Sequence, residues 1–457
     1  MAEDAVLDLS EPRAVHVIGI GGAGMGAIAT VLTSMGHRVT GSDLKESPGL
    51  ERLRALGVGI AIGHDAENVG DVDVVAISTA VPDRNPEVRA ALEREIPVLR
   101  RAEVLAAITR TRRTVAVAGT HGKTTTSSML ALVLVEAGLR PSFIIGGDVN
   151  EIGTGAVLDD GDWLVVEADE SDGTFIELDR EAVIVTSVEP DHLEHHGSVE
   201  SLGEAFREFV VGATGPCVLC ADDPGAVALA ELPELAEPRR VLRYGTAPDA
   251  TIRMTDIRLT GSGSGFDLVS DGTTLGRIEL PVPGIHNARN AAAAAACALA
   301  IGAPFAAAAA ALRRFAGVAR RFEFRGSAGG VDFVDDYAHL PTEVAAAIGA
   351  ARDGDPDRLV CVFQPHRYSR TASLWREFAD AFEGADLLVV TDVYPAGEEP
   401  RPGVSGKLIV DAVLDRHPWR RVAYVPRRGD LVAYLRDELR PGDLRLTLGA
   451  GDVTSLA

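Results

Sequence analysis

Short apolar runs alternate with longer segments of helical hydrophobic spacing along most of the chain. The runs at 15–18, 115–117, 163–166 and 182–185 are rich in valine, and each is followed within a few residues by glycine or polar residues. Buried parallel strands have this apolar pattern, whereas the segments between the runs repeat apolar residues at helical intervals. Strands that alternate with helices in this way predict an α/β protein with mostly parallel sheets.

Two segments depart from this alternation. Residues 246–280 carry many Gly, Ser, Thr and Asp residues between short apolar runs, and we predict an antiparallel excursion there. The alanine-rich stretch that ends at Leu312 predicts two close-packed helices, separated near Gly302 and Pro304.

A glycine-rich turn follows the first strand. The sequence GIGGAGMG at 19–26 leads into a helical pattern from Ile28 to Met35, and the second strand ends at Asp43. In this context the glycines allow a diphosphate to lie on a helix N-terminus, while the acid meets a ribose or a base. An NAD-dependent dehydrogenase and a protein that binds a nucleotide sugar both satisfy this pattern.

The predicted elements group into three domains, as a chain of 457 residues suggests at about 150 residues per domain. A strand at 71–79 and helical patterns at 86–94 and 101–109 complete the first domain, and TRTRR at 109–113 is the predicted linker. We predict domains at 1–109, 110–317 and 318–457.

The stretch TVAVAGTHGKTTTSSM, residues 114–129, combines a buried strand, a glycine turn, Lys-Thr and a helical pattern. Gly119 and Gly122 allow backbone N–H groups to approach phosphates, and Lys123 adds a full positive charge. Thr124 supplies the hydroxyl that such loops place on Mg²⁺. The usual motif has a glycine where Val117 stands, so GTHGKT is a shortened variant. We expect ATP to bind here.

Acidic residues follow the buried strand at 163–166: Glu167, Asp169, Glu170 and Asp172. Acids at the carboxyl end of a parallel strand lie at the ligand edge of the sheet, and one such acid organises Mg²⁺ in phosphate-loop proteins. At least two of the four are expected to be solvated loop residues instead.

A second group of metal-ligand side chains follows the strand at 182–188. Glu189, Asp191 and His192 offer oxygen and imidazole ligands for a second divalent ion. The two histidines that come next, in HLEHHG at 192–197, are expected to lie in an exposed turn without a ligand role.

Polar residues are predicted to form a rim on one sheet edge of the third domain. Its strands end in DDYAH at 335–339, HRYSR at 366–370 and LGAGD at 448–452, and Pro341 is expected in the first turn of a helix. The glycines of LGAGD can face a phosphate.

Charge, termini and cysteines narrow the class of protein. A formal net charge of −23 argues against a nucleic-acid partner and an anionic-membrane partner. No apolar run is long enough to span a bilayer, and residues 1–13 lack the features of a signal peptide, so we expect a cytoplasmic protein. Cys217 and Cys220 have metal-like spacing, but we expect buried thiols in a strand.

Nine sequence blocks, in order over the full length, resemble the Mur ligases, the ATP-dependent amino-acid ligases of peptidoglycan precursor synthesis. The blocks are HVIGIGGAGMGAIA, GTHGKTTT, VEADESDGTF, EPDHLE, PGIHNARN, GVARRFE, DDYAHLPTE, FQPHRYSRT and LGAGD. Within the family, GIGGAGMG and HRYSRT resemble the branch that adds L-alanine. The branch that recycles intact murein tripeptide is the rival within the family.

The resemblance implies a Rossmann-like N-terminal domain that binds a UDP-sugar, a central P-loop ATPase-like domain, and a Rossmann-like C-terminal domain that closes over the site. It also implies the reaction. ATP phosphorylates the carboxylate of UDP-N-acetylmuramate, L-alanine attacks the acyl phosphate through a tetrahedral intermediate, and ADP and phosphate leave. The implied cofactors are ATP and Mg²⁺, as two ions. The chain is expected to be a monomer or a homodimer.

The resemblance also implies a role for each matching residue. The ATP-binding set is Gly119, Thr120, His121, Gly122, Lys123, Thr124, Thr125, His286, Asn287, Asn290, Arg320, Asp336 and Tyr337. The UDP-sugar-binding set is Gly21, Gly22, Gly24, Met25, Gly26, Asp43, Ser78 and His121. The Mg²⁺ ligands are Thr124, Glu167 and His192, and the catalytic set is Lys123, His192, Glu167, Arg367, Arg370 and His339.

Within these sets some roles are specific. Asn287 is expected to contact the adenine, and Arg320 to reach the nucleotide phosphates on domain closure. Arg367 and Arg370 are expected to meet the muramate or acyl-phosphate oxygens, where a bidentate fork suits the geometry. His339 is assigned only to substrate positioning.

Two departures from the family pattern stand out. Members that add later residues carry a carbamoylated lysine near the second metal, but no lysine lies between Lys123 and Lys407. This absence favours the alanine-adding branch. The family also has two consecutive histidines where this chain has His339 and Leu340.

Three alternatives lie outside the murein ligases. A dehydrogenase explains the first glycine turn but leaves GTHGKT unexplained. A non-catalytic, nucleotide-dependent P-loop switch explains GTHGKT but not the polar rim of the third domain. A ligase that extends polyglutamate on folate shares the central domain but not the N-terminal nucleotide-sugar block.

Overall fold

The computed structural model describes residues 7–78, 80–191, 193–236 and 240–456. The chain has a three-domain α/β architecture built on three mostly parallel sheets, as predicted. Its contacts form two compact units. One holds the chain up to Met254 with Leu268–Gly276 and Asn290–Leu312, and the other holds Thr255–Asp267, Arg277–Arg289 and the chain from Arg313. The boundaries 1–109, 110–317 and 318–457 stay a prediction.

The N-terminal sheet is fully parallel, in the order β3-β2-β1-β4-β5. Its strands are β1 Ala14–Ile18, β2 Arg38–Asp43, β3 Gly59–Ile62, β4 Val74–Ile77 and β5 Val98–Arg100. Its helices are α1 Ala23–Ser34, α2 Pro48–Ala55, α3 Pro86–Glu93 and α4 Arg101–Thr109. The helices predicted at 28–35, 86–94 and 101–109 are therefore confirmed.

The central sheet has ten strands, in the order β15-β14-β13-β12-β11-β10-β6-β9-β7-β8. They are β6 Arg113–Ala118, β7 Ser142–Val149, β8 Thr154–Val157, β9 Trp163–Glu167, β10 Ala182–Val185, β11 Cys217–Cys220, β12 Val241–Gly245, β13 Ile252–Thr260, β14 Gly263–Ser270 and β15 Thr273–Leu280. The last three are the strands predicted in 246–280. Strand β8 pairs antiparallel with β7, and the neighbouring strands from β7 through β9, β6, β10, β11 and β12 to β13 pair in parallel.

The helices of the central region are α5 Lys123–Glu136, α6 Leu193–His196, α7 Val199–Val211, α8 Pro224–Ala230, α9 Ile285–Ala300 and α10 Phe305–Leu312. The alanine-rich stretch forms the two predicted helices, α9 and α10. Residues 291–296 of α9 are completely buried alanines, which allow the helix backbone to approach its neighbours closely. Helix α10 packs on α5, the helix that follows the phosphate loop.

The C-terminal sheet has the order β16-β17-β21-β18-β19-β20, and all its neighbours are parallel except β16 and β17. Its strands are β16 Glu323–Ala328, β17 Val331–Asp336, β18 Arg358–Phe363, β19 Leu387–Val390, β20 Val422–Tyr424 and β21 Asp443–Leu448. Its helices are α11 Pro341–Arg352, α12 Tyr368–Leu374, α13 Lys407–Arg416 and α14 Arg428–Glu438. Pro341 is in the first turn of α11, as predicted.

Within the described part of the chain, no helix combines the length and the hydropathy that a bilayer span requires.

Candidate functional site

The first glycine turn opens into a pocket of about 690 Å³ in the N-terminal domain. Its walls include Gly21, Gly22, Asp43 and Ser78 of the predicted UDP-sugar set. The Gly21 N–H donates to Asp43 Oδ2 at 2.8 Å, and a Cβ at Gly21 would lie 2.7 Å from that oxygen. Only glycine therefore permits this close approach between the turn after β1 and the acid that ends β2.

Gly24, Met25 and Gly26 of that set lie inside α1, whereas His121 belongs to the phosphate loop described below. Met25 is buried, and a Cβ at Gly26 would lie 3.2 Å from the Ile20 carbonyl oxygen. Gly24 lies beside Arg101, whose guanidinium is 3.8 Å from Asp169 of the central domain. These positions let α1 pack closely, and their contact with a ligand stays a prediction.

The phosphate loop lies at the middle of the central sheet, between β6 and α5. Strand β6 pairs with β9 on one side and β10 on the other, so the chain segments after all three strands meet at one edge. Gly119 and Gly122 have φ of +134° and +77°, in the region that favours glycine. A Cβ at Gly122 would lie 2.5 Å from Asn290 Oδ1 on α9. The structure thus brings Asn290 against the loop, and its contact with ATP stays a prediction.

Residues after β10 hold the loop in place. The Thr120 hydroxyl accepts from the Glu189 N–H at 2.8 Å, and the His121 N–H donates to Ser187 Oγ at 3.1 Å. The His121 ring lies 3.2 Å from the Glu189 carboxylate, and the Thr186 hydroxyl donates to the His121 carbonyl. Thr186 and Ser187 directly follow β10 and belong to no recognisable motif, so sequence reasoning missed them.

Lys123 is the cation at the start of α5. Its Nζ donates to the Gly119 carbonyl at 2.7 Å and to Glu170 Oε1 at 2.8 Å. Burial opposes the charge of Lys123, but the carboxylates of Glu170 and Asp169 outweigh it and raise its pKa, so it stays protonated. The lysine is therefore an ammonium aimed into the loop, which is the state that phosphate binding needs.

Glu170 is the buried counter-ion of this lysine. Its side chain is 3% exposed, and in the described chain no hydrogen-bond partner reaches its Oε2. Burial raises the pKa of Glu170, while Lys123 acts against that rise. Of the four acids in this stretch, the sequence analysis assigned a role only to Glu167, so Glu170 was missed. Asp172 instead caps the turn at Thr174.

Two of the three predicted Mg²⁺ ligands lie together. Thr124 Oγ1 donates to Glu167 Oε1 at 2.9 Å, and Glu167 Oε2 accepts from the Gly146 N–H at 2.7 Å. A hydroxyl and a carboxylate in contact are the hard oxygen donors that Mg²⁺ prefers. His192, the third, lies outside the described residues. Within the described residues, no group of three or more His, Cys, Asp or Glu side chains is arranged to hold a metal.

The histidines after His192 differ from the expected exposed turn. His195 and His196 belong to the short helix α6. His195 is exposed as expected, but a ring nitrogen of His196 lies 2.8 Å from the Glu170 carbonyl oxygen. His196 therefore has a structural contact that braces the acidic loop.

The start of α9 holds the remaining members of the predicted ATP set that precede the C-terminal domain. The Asn287 amide is buried and donates to the Pro283 carbonyl at 2.8 Å. The His286 ring lies beside Gly284, where a Cβ would be 2.6 Å from it. The turn at Pro283-Gly284 thus fixes the start of this helix, and the contact of Asn287 with adenine stays a prediction.

In the second unit, the predicted polar rim lies at the carboxyl ends of β17, β18 and β21, which are neighbours in the sheet. Asp336 accepts from the Ala338 and Phe322 N–H groups, and burial raises its pKa to about 6. Arg320 lies 4.9 Å above the Tyr337 ring and donates to Asp335 at 3.3 Å. The arginine is thus engaged inside this unit, and its contact with nucleotide phosphates stays a prediction.

Two arginines at the start of α12 form the cationic part of this rim. Arg370 lies 3.1 Å from His366 Nδ1. Burial, the neighbouring His339 and Arg370 lower the pKa of His366 to about 3, so this ring is neutral and accepts from Arg370. Arg367 has φ of +66°, a strained conformation for a side chain of this size. Such strain is typical of a residue held for function.

His339 is fixed from two sides. Its ring Nδ1 lies 3.0 Å from the Tyr337 carbonyl oxygen and 3.3 Å from the Glu343 carboxylate. The backbone N–H of His339 donates to the same carboxylate at 2.9 Å. Leu340, which replaces the second family histidine, is buried at the start of α11. The position has a packing role in this chain.

The thiols of Cys217 and Cys220 are buried in β11, as expected.

A glycine loop followed by a helix that begins with Lys123, together with the contact between Thr124 and Glu167, defines an α/β protein of the P-loop class. Three family models match almost the whole chain: "Mur ligase family, catalytic domain" at residues 14–113, "Mur ligase middle domain" at 117–298 and "Mur ligase, glutamate ligase domain" at 320–451. The chain belongs to the Mur ligase family, which confirms the resemblance found in the sequence.

Two curated relatives are named UDP-N-acetylmuramate–L-alanine ligase. The protein of Pelotomaculum thermopropionicum is 46% identical over 452 residues, which cover 98% of this chain and 96% of the relative. The protein of Solidesulfovibrio magneticus is 48% identical over 444 residues, which cover 96% of each chain.

Solved structures agree with the fold. The UDP-N-acetylmuramate-alanine ligase of Thermotoga maritima has a TM-score of 0.80 and 29% identity, with 97% of each chain covered. A murein peptide ligase of Psychrobacter arcticus has a TM-score of 0.69 with the same coverage, but its 23% identity shows the fold alone.

Proposed function

We propose that this chain joins L-alanine to the carboxylate of UDP-N-acetylmuramate, with ATP converted to ADP and phosphate, in peptidoglycan precursor synthesis. The observation that carries the proposal is full-length similarity, at 46% and 48% identity, to ligases named for these two substrates. The phosphate loop with its charged lysine supports the ATP-dependent step.

The chemistry requires an activated carboxylate, because a free carboxylate is a poor electrophile. Transfer of the γ-phosphoryl group to the muramate carboxylate oxygen breaks the bond to ADP and gives an acyl phosphate. The alanine nitrogen then attacks the carbonyl carbon and loses a proton, and phosphate leaves from the tetrahedral intermediate. Both steps bring anions together, so catalysis depends mainly on positioning and on positive charge.

Lys123 supplies that charge at the loop. It is proposed to contact the β- and γ-phosphates, while the backbone of residues 119–122 surrounds them. Thr124, Glu167 and His192 would hold Mg²⁺, which neutralises phosphate charge when bound. Two ions are proposed, one of them near His192. Asn290 lies against Gly122, so it closes the loop beside the nucleotide.

The C-terminal rim supplies the groups for the other substrates. Arg370, steadied by the neutral ring of His366, and Arg367 are proposed to bind muramate or acyl-phosphate oxygens. His339, held by Glu343, is proposed to position the substrate. The pocket at the first glycine turn is proposed to take the UDP portion, with the diphosphate on the N-terminus of α1 and Asp43 on the uridine side.

Phosphate release tests this proposal. The enzyme is mixed with ATP, Mg²⁺ and UDP-N-acetylmuramate, and L-alanine, glycine, L-serine, D-glutamate or murein tripeptide is added singly. Release with L-alanine is the expected result. Release only with the tripeptide would move the chain to the recycling branch, and nucleotide binding without release would favour a non-catalytic switch.

A further inference from the structure

A buried carboxylate lies directly behind the pocket of the N-terminal domain. Glu87, the second residue of α3, has no exposed side-chain surface. The nearby His16 ring and the hydrogen bonds from Ser42 and Asn68 outweigh the effect of burial and hold its pKa at about 2. Glu87 is therefore a charged group that can only accept hydrogen bonds.

Each oxygen of Glu87 has its own donors. The Asn68 amide donates to Oε1 at 2.6 Å, and the Asp65 N–H donates to the same oxygen at 3.3 Å. The Ser42 hydroxyl donates to Oε2 at 2.5 Å, and the His16 ring lies 3.6 Å from Oε2. The Oε2 side also faces His64, whose Nδ1 is 3.3 Å away.

His64 connects this buried charge to the pocket. Its ring forms part of the pocket wall and is 16% exposed. Its Nδ1 lies 3.1 Å from Ser42 Oγ. The single proton of Ser42 is already donated to Glu87, so Ser42 Oγ and Glu87 Oε2 both act as acceptors toward Nδ1. His64 must therefore carry its proton on Nδ1, which leaves the lone pair of a neutral ring on Nε2.

We infer that Glu87 is a positioning residue for nucleotide recognition, because through Ser42 it fixes the tautomer in which His64 offers an acceptor to the pocket. The ligand group it recognises is a hydrogen-bond donor of the nucleoside, either the N3–H of a uracil base or a ribose hydroxyl. The inference rests on the proposed function, since it places the UDP portion of the substrate in this pocket.

The substitution Glu87→Gln reverses the tautomer for a geometric reason. The new amide oxygen must take the place of Oε1, because two donors, the Asn68 amide and the Asp65 N–H, face that position. A flip of Asn68 cannot relieve the conflict cheaply, since its amide also donates to the Gly63 carbonyl at 3.1 Å. The new NH₂ group then faces Ser42, whose hydroxyl must turn its proton toward His64 Nδ1. His64 then carries its proton on Nε2. The ring therefore presents an N–H donor to a nucleoside group that is itself a donor.

The test is titration calorimetry with UDP and with UDP-N-acetylmuramate on the full chain. We expect Glu87→Gln to raise the Kd for both by about tenfold, the equivalent of one lost hydrogen bond. The kcat at saturating substrate should stay within about twofold of wild type, because nothing at the phosphate loop changes. Glu93→Gln is the matched control, since this exposed glutamate lies on the same helix.

A double-mutant cycle separates positioning from general destabilisation. In the His64→Phe background, Glu87→Gln should leave the Kd unchanged, because the group that it positions is gone. Long-range ¹H–¹⁵N spectra should show the His64 proton on Nδ1 in wild type and on Nε2 in Glu87→Gln. A folding defect alone would produce neither result.

Modified nucleotides identify the donor. If the base N3–H donates to His64, the 3-methyluracil form of UDP should bind wild type and Glu87→Gln equally. If a ribose hydroxyl donates to His64, the UDP analogue that lacks this hydroxyl, 2′-deoxy-UDP or 3′-deoxy-UDP, should bind wild type and Glu87→Gln equally. Equal affinity of Glu87→Gln and wild type for UDP, or additive effects in the cycle, would overturn the inference while leaving the proposed function intact. A wild-type chain that binds neither UDP nor UDP-N-acetylmuramate would overturn both.

Discussion

Replacing Lys123 by alanine removes the ammonium from the phosphate loop and leaves Glu170 as a buried carboxylate without its counter-ion. The Nζ of Lys123 lies 2.8 Å from Glu170 Oε1, and the Glu170 side chain is only 3% exposed. Two effects are expected. Turnover should be abolished because the γ-phosphoryl transfer loses its nearest positive charge, and the folded state should lose stability because the remaining carboxylate is desolvated.

The stability effect has an upper limit set by protonation. Breaking a buried ion pair typically costs about 3–5 kcal/mol. Glu170 can avoid the charged state by binding a proton, at about 1.4 kcal/mol for each pH unit between the buffer and its pKa. Counted from the ordinary pKa that Glu170 has in the unfolded chain, this is roughly 4 kcal/mol at about pH 7.5. We therefore expect Lys123→Ala to lose about 2–4 kcal/mol at this pH.

The stability that Lys123→Ala loses should become smaller as the pH falls. Without Lys123 the folded-state pKa of Glu170 rises further above its unfolded value, so the folded variant binds a proton more readily than the unfolded chain. The free energy of unfolding then increases as the pH falls through that raised pKa toward the unfolded value. The stability gap between wild type and Lys123→Ala should shrink steadily from about pH 7.5 to pH 5.

Urea unfolding at several pH values, together with phosphate release, measures both effects. The control is Lys123→Ala/Glu170→Gln, which should recover most of the lost stability without recovering turnover. Both variants should still bind UDP-N-acetylmuramate. Turnover by Lys123→Ala within tenfold of wild type would refute the phosphate-loop assignment, and unchanged stability at pH 7.5 would refute the buried ion pair.

Three further substitutions test other parts of the site. Gly122→Ala should lower ATP affinity at least tenfold in calorimetry, since its Cβ would lie 2.5 Å from Asn290 Oδ1 at a φ of +77°; unchanged affinity would contradict the loop geometry. Glu167→Gln should shift the Mg²⁺ dependence of turnover to higher concentration and lower kcat about 10²-fold, and an unaltered Mg²⁺ curve would argue against a ligand role. Arg370→Lys should raise the KM for UDP-N-acetylmuramate about tenfold with little change in ATP affinity. The reason is that a lysine cannot form the bidentate fork of an arginine that His366 holds in place. An unchanged KM would contradict the role of Arg370 in binding muramate or acyl-phosphate oxygens.

Much of the fold could be predicted because its signals are local. The strand, glycine turn and helix of residues 114–129 are adjacent in sequence, and Gly119 and Gly122 both adopt the positive φ that the turn requires. The polar rim of the C-terminal domain was predictable for a related reason. Parallel strands end at one edge of a sheet, so acids and arginines that follow different strands must approach one another.

The parts that could not be predicted depend on packing between segments distant in sequence. Glu167 ends β9 and three more acids follow it, and only the way their loop packs on α5 decides that Glu170, and not Asp172, is buried against Lys123. Glu87 and His64 belong to no motif, and their contact depends on how α3 and the turn after β3 meet beside Ser42.

The most direct test of the central claim is a mass spectrum of the reaction mixture, with UDP-N-acetylmuramate labelled by ¹⁸O in its carboxylate, together with ATP, Mg²⁺ and L-alanine. An acyl phosphate leaves one carboxylate oxygen on phosphorus when the amine displaces phosphate. The account therefore predicts a product heavier by one alanyl residue and a released phosphate that carries one ¹⁸O. An unaltered UDP-N-acetylmuramate, or an alanyl product formed with unlabelled phosphate, would contradict it.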